Sequence, residues 1–158
     1  AKKLPLFNFQ ILGGHKKNID ILKKKISKER IKNVSVLGRV DFAKVPNFLF
    51  SADALLLPPS NLHPSAKWTS PVKMGEYLAS KTPVICSDIF ALKIFLTENE
   101  VFFFKADNPL SLSKVIEFVK SNKKEAIRRA ENGFLKAQEM SYEKKCLKII
   151  EFANYENK

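Results

Sequence analysis

Thr69–Asp88, TSPVKMGEYLASKTPVICSD, reads as a helix followed by a strand, with clear signals at the junctions. Ser70 is a strong N-cap and Pro71 fits the first helical position, so a helix is expected from Pro71 to Ser80. At ~100° per residue, Met74, Tyr77 and Leu78 cluster on one side, the side expected to face a sheet. Lys73 and Glu76 fall together on the opposite side. The free backbone N–H groups of its first turn and the positive end of the dipole make the helix tip a ready anion site. A lysine and a glutamate beside such a site suit a nucleotide diphosphate, with ammonium to phosphate and carboxylate to sugar hydroxyls. A surface salt pair at i, i+3 fits the same spacing, and spacing alone leaves the two readings level.

Working outward, short apolar runs alternate with amphipathic stretches. Phe7–Leu12 is a predicted strand ending at Gly13-Gly14, and Ile19, Leu22 and Ile26 give a helix over Asn18–Lys28 with a lysine-rich outer face. Val34–Leu37 is a second strand, stopped by Gly38. Asp41 caps a helix reaching Phe50 that Pro46 confines to a first turn or splits. Ala54–Leu57 is an unbroken apolar strand closed by Pro58-Pro59-Ser60. Pro83–Cys86 and Val101–Phe104 are the fourth and fifth strands, with a short helix through Leu92 and Phe95 between them. Three helices close the chain: one lined by Leu112, Val115, Ile116 and Val119, one by Ile127, Ala130, Phe134 and Ala137 and loosened by Gly133, and one by Tyr142, Cys146, Ile149, Ile150 and Ala153.

Continuously apolar strands are buried on both faces, and interleaving with helices makes them parallel. The expected fold is α/β, a doubly wound, mostly parallel Rossmann-like sheet of about five strands with C-terminal helices. Ligands of such sheets bind beyond the carboxyl ends of the strands. Those ends are Gly13-Gly14, Gly38-Arg39, Pro58-Pro59-Ser60 and Ser87-Asp88.

The 158 residues suffice for one domain. No apolar run approaches the ~20 residues that span a bilayer, and the start, Ala-Lys-Lys-Leu-Pro, is no signal peptide. Cys86 and Cys146 are expected to be buried thiols in a reducing cytosol, and neither His15 nor His63 is assigned to a metal. The net charge is +12, and residues 1–32 hold ten Lys/Arg against two Asp/Glu. An acidic membrane surface, nucleic acid or a merely solvated face would each account for this excess. Nucleic acid is disfavoured, because no aromatic-basic interleaving of the kind that stacks bases is present. Gly13-Gly14 does not extend to G-x-G-x-x-G, which disfavours a dinucleotide enzyme.

In order and spacing, FQILGG, NVSVLGRV, SADALLLPPS, SPVKMGEYLASKTPVICSD, KADNPLSLSKVI and SYEKKCLKIIEF together resemble the C-terminal domain of family-4 retaining glycosyltransferases. These have two facing Rossmann-like domains, the GT-B architecture. The resemblance implies transfer of a sugar, with retention, from a nucleoside diphosphate sugar to a glycan or lipid-linked acceptor in a bacterial envelope pathway. It implies no metal or other cofactor. Glu76 matches the second glutamate of the family's Glu–seven residues–Glu motif, which binds the donor's ribose. Pro71 and Val72 match positions whose amides meet the distal phosphate. Thr69, Ser70 and Lys73 stand beside them as further phosphate contacts. Gly38, Arg39 and Val40 fall where main-chain groups read the base, and Gly13 and Gly14 at the mouth of the donor cleft. Three positions depart from the pattern: Trp68 replaces the first glutamate, Pro71 replaces a residue that could donate an N–H, and Lys81 replaces a glycine, which predicts a strained left-handed turn. The proline leaves the phosphate to Val72, Lys73, the Ser70 or Thr69 hydroxyls or groups elsewhere.

The resemblance further places a first strand, with an Arg and a Lys that clamp the diphosphate, and an N-terminal acceptor domain before Ala1. On this reading the chain alone is inactive, its catalytic residues lie in that domain, and apolar surface left by the missing central strand favours dimerisation or rearranged packing. The location implied is cytoplasmic, with peripheral contact to an anionic membrane. A non-catalytic Rossmann-like domain serving regulation or assembly is the alternative.

Overall fold

The computed structural model describes residues 1–68 and 72–155. The chain divides into two compact units, Ala1–Phe48 and Leu49–Lys158.

In the first unit, strand β1 (Phe9–Leu12) pairs in parallel with β2 (Val34–Gly38) through helix α1 (Lys16–Lys28). The ladder shifts register between Ile11 and Leu12, so that Leu12 stands opposite Gly38. Phe7, predicted as strand, instead ends a turn held by one side chain. Asn33 Nδ2 donates to the carbonyls of Leu4 and Phe7, each at 2.8 Å, and of Ala1 at 3.3 Å, and Leu4 is buried. Asp41 caps a three-ten turn, Phe42–Lys44, accepting from Ala43 N–H at 3.1 Å. That turn runs into α2 (Val45–Ser51), so the predicted helix is split, with Pro46 in the first turn of its second part, where a missing N–H costs nothing.

In the second unit β3 (Leu55–Leu57), β4 (Val84–Ser87) and β5 (Phe102–Phe104) form a parallel sheet in the order β3-β4-β5. Every residue of β4 is buried, as its unbroken apolar run predicts. Helix α3 (Val72–Ala79) carries the chain from β3 to β4, and α4 (Phe90–Lys93) from β4 to β5. Helices α5 (Pro109–Ser121), α6 (Lys123–Glu139) and α7 (Tyr142–Tyr155) follow. The core gathers Met74 and Leu78 from α3, Val84 and Cys86 from β4, and Leu92, Leu96 and Val101 beyond it. The strands thus pair in two sheets, of two and three strands, rather than in one of five.

Three helical expectations need correction. Gly133 does not loosen α6, which is unbroken from Lys123 to Glu139. A Cβ there would stand 2.9 Å from Leu78 Cδ2 and 3.3 Å from the Glu100 carbonyl, so the bare glycine is what lets α6 lie against α3. The buried stripe of α6 is Ala126, Ala130 and Gly133, one position away from the predicted Ile127, which is exposed. Arg129 fixes that rotation. It pairs with Glu125 at 2.7 Å, donates to the Val101 carbonyl at 2.8 Å, and lies 4.3 Å from the centre of the Phe102 ring. Arg128 and Arg129 together hold the Glu125 carboxyl down to about 2.

Finally, Tyr142, Cys146, Ile149 and Ile150 line no core, because every residue of α7 from Tyr142 to Asn154 is exposed. Cys146 is therefore an exposed thiol, whereas burial pushes Cys86 up to about 12. A thiol reagent near neutral pH is expected to label Cys146 at once and Cys86 only on unfolding. Native and denatured titrations should therefore differ by a factor of two, and equal readings would place both thiols at the surface.

Candidate nucleotide-sugar site

At the carboxyl ends of β1 and β2, Gly13, Gly14 and Gly38 have φ of 86°, 100° and 71°, a left-handed backbone that a side chain would strain. The two turns are tied together, with Gly13 N–H donating to the Gly38 carbonyl at 2.6 Å. Ile19, in the first turns of α1, closes over both: its Cγ1 stands 3.4 Å from a Cβ built on Gly14, and its Cδ1 the same distance from one on Gly38. Backbone groups therefore form this rim of the first unit. Arg39 beyond it is exposed and Val40 half-buried.

In the second unit, the helix predicted from Pro71 is observed from Val72. Thr69, Ser70 and Pro71, with the N-cap assigned to Ser70, lie outside the described residues. The predicted facing holds: Met74 and Leu78 are buried, and Tyr77 is half-buried against the same core, where burial raises its hydroxyl above the usual range. Val72, Lys73 and Glu76 are exposed. Among the described residues Lys73 and Glu76 form no ion pair with each other or with another side chain, so the surface salt pair is not seen. Because α3 follows the exit of β3 and returns to the start of β4, its first residues lie at the ligand-binding ends of the strands. Glu76 stands about 6 Å along the axis from Val72.

The same rim is laced by hydrogen bonds that no local spacing announced. The buried Ser87 Oγ donates to the Pro59 carbonyl at 2.7 Å and fixes the Pro-Pro exit of β3. Asp88 accepts from Ala106 N–H at 2.8 Å, and Asp107 from Asn61 N–H at 2.9 Å. These side chains join the three loops leaving β3, β4 and β5 into one platform. A depression of about 500 Å³ bordered by Asn99, Arg128, Asn132 and Lys136 lies instead where β5 begins, at the opposite end of the strands.

At its far end, α3 closes with Lys81 at φ 55°, the left-handed turn expected of it. Its N–H donates to the Leu78 carbonyl, and its ammonium lies 4.3 Å from the centre of the Phe134 ring. Lys81→Ala loses that contact and keeps the strain, whereas Lys81→Gly loses both. The glycine variant is expected to exceed the alanine variant in stability by about 1 kcal/mol, read by denaturant melts. The opposite order would mean that the turn is unstrained.

Parallel strands joined by helices, in both units, define a Rossmann-like α/β class. Residues 1–136 match the model of the glycosyl transferases group 1, and the chain belongs to that family. No curated protein matches it by sequence. Among solved structures it is similar to sucrose-phosphate synthase of Thermosynechococcus elongatus, with a TM-score of 0.76 and 16% identity over 92% of this chain and 37% of that one. It is also similar to Anabaena HepE in complex with UDP-glucose, with a TM-score of 0.71 and 14% identity over 87% of this chain and 39% of that one. The C-terminal domain of a group 1 family glycosyl transferase from Francisella tularensis gives a TM-score of 0.62 at 17% identity, over 87% of this chain and 71% of that one. The chain thus spans well under half the length of the first two. The family match bears out the family expected from the sequence, and the structural likenesses bear out the Rossmann-like fold of a GT-B domain.

Proposed function

We propose that this chain is the donor-binding domain of a retaining glycosyltransferase that moves a sugar from a nucleoside diphosphate sugar to a glycan or lipid-linked acceptor. The observation that carries the reading is the exposed Lys73–Glu76 face of α3, which forms no ion pair among the described residues, in a chain of this family. In this reading Glu76 accepts from the donor's ribose hydroxyls. Lys73 and the amide of Val72, with the hydroxyls of Thr69 and Ser70, hold the diphosphate, and Pro71, which has no N–H to donate, only starts the helix. Gly38, Arg39 and Val40 meet the base, and Gly13 and Gly14 leave room for the donor. As the bond to the sugar breaks, helix-end amides and the Lys73 ammonium stabilise charge on the departing diphosphate, without a metal. The acceptor site and acid–base groups belong to an N-terminal domain, and the whole enzyme works in the bacterial cytoplasm in polysaccharide biosynthesis. UDP-glucose bound to HepE supports a nucleotide-sugar ligand.

Calorimetric titration with UDP, GDP and ADP sugars tests this. Saturable binding of one of them, with no transfer by the chain alone, is expected. Trp68, which replaces the first motif glutamate and is 84% exposed, gives the alternative some footing: a non-catalytic domain for regulation or assembly. That alternative predicts no nucleotide binding, even with an N-terminal domain supplied.

A further inference from the structure

The outer face of α1 has a composition that donor binding leaves unused. Ile21 is 58% exposed, and its helical neighbours at i−4, i+3, i+4 and i+7 are Lys17, Lys24, Lys25 and Lys28, all exposed. An exposed aliphatic side chain is thus ringed by four ammonium groups on one face. The N-terminal segment adds to it. Lys2 reaches Glu29 at 3.1 Å, just past the end of α1, and Glu29 is held below its usual range first by Lys2 and then by Lys25 and Lys28. The single carboxylate at this end therefore lies amid three lysines, and the local excess stays strongly positive. Leu6, on the segment pinned by Asn33, is 86% exposed.

This surface is distinct from the glycine turns. Those lie at the carboxyl ends of β1 and β2 under Ile19, on the inner side of α1, whereas Lys25, Lys28 and Lys2 gather where the strands begin.

We propose that the outer face of α1, extended by Lys2, docks the protein on an anionic lipid bilayer. Lysines alone would suit any polyanion. Ile21 at their centre selects a bilayer, whose interface takes up aliphatic side chains while its headgroups meet the ammonium ring. A nucleic-acid backbone gives an isoleucine nothing, and base stacking would call for aromatic side chains, which α1 lacks.

Vesicles of phosphatidylglycerol mixed with phosphatidylcholine, and vesicles of phosphatidylcholine alone, serve as probes in sedimentation with the intact chain. Binding to the anionic vesicles only, weakening as salt rises, is expected. Lys24→Gln, Lys25→Gln and Lys28→Gln combined should lower the partition coefficient about a hundredfold, at about fivefold for each cation removed. Ile21→Ser should lower it about tenfold with the charge unchanged. Circular dichroism melts and nucleotide titrations of both variants should match the parent, which separates this surface from the donor site. Equal binding to both kinds of vesicle, or no effect of Ile21→Ser on the anionic ones, overturns the proposal. Binding to polyuridylate in preference to anionic vesicles also overturns it, in favour of nucleic acid.

Discussion

Valine at position 133 is expected to destabilise the second unit by about 3 kcal/mol or more, with alanine costing about 1 kcal/mol. A single added Cβ meets Leu78 Cδ2 at 2.9 Å and the Glu100 carbonyl at 3.3 Å. The Leu78 side chain is 2% exposed and locked in the core, and the carbonyl is main chain just before β5, so neither yields cheaply. Alanine recovers about 1 kcal/mol of helix propensity, which offsets part of the overlap. Valine recovers less and drives two more carbons into the same gap. Denaturant melts followed by circular dichroism measure both. A valine variant as stable as the parent would mean that α6 does not approach α3 this closely. The consequence reaches the site, since α3 is the helix that presents Lys73 and Glu76.

The second large effect is functional. Removing the Glu76 carboxylate is expected to weaken donor binding by about ten- to a hundredfold, the range for hydrogen bonds to a charged group. Stability should change by no more than about 0.5 kcal/mol, because the side chain is exposed and has no ion-pair partner among the described residues. Glu76→Gln keeps one acceptor oxygen and should fall between the parent and Glu76→Ala in calorimetric affinity. Loss of binding together with loss of folding would mark Glu76 as structural. Lys73→Ala should show a smaller loss that shrinks at high salt, as expected of an exposed contact to phosphate.

Much of this architecture was legible because it rests on local rules. Val84–Cys86 is apolar without alternation, so it is buried on both faces and central to its sheet. The glycines at 13, 14 and 38 follow strands and take positive φ, and Lys81 before Thr82-Pro83 does the same at a position where only the family pattern drew attention to it. Met74, Leu78, Lys73 and Glu76 sort to opposite sides of α3 by helical rotation alone.

What escaped depends on partners distant in sequence. A helical glycine reads as a weak point from propensity, and only the distance to Leu78 shows Gly133 to be a packing contact. The stripe through Tyr142, Cys146 and Ile149 has the right period for a buried face, but periodicity gives a face and not its partner, and α7 lies exposed. The lacing of the strand exits by Ser87, Asp88 and Asp107 joins side chains to main-chain groups 18 to 46 residues away, which no motif encodes.

The account stands or falls on whether the exposed charges of α3 meet a nucleotide. Amide chemical shifts of the nitrogen-15-labelled chain, followed while UDP, GDP and ADP are added in turn, ask this directly. One of the three should move Val72, Lys73 and Glu76, with Gly13, Gly14 and Gly38 responding to the same ligand. Resonances of α3 that stay still for every nucleotide would contradict it.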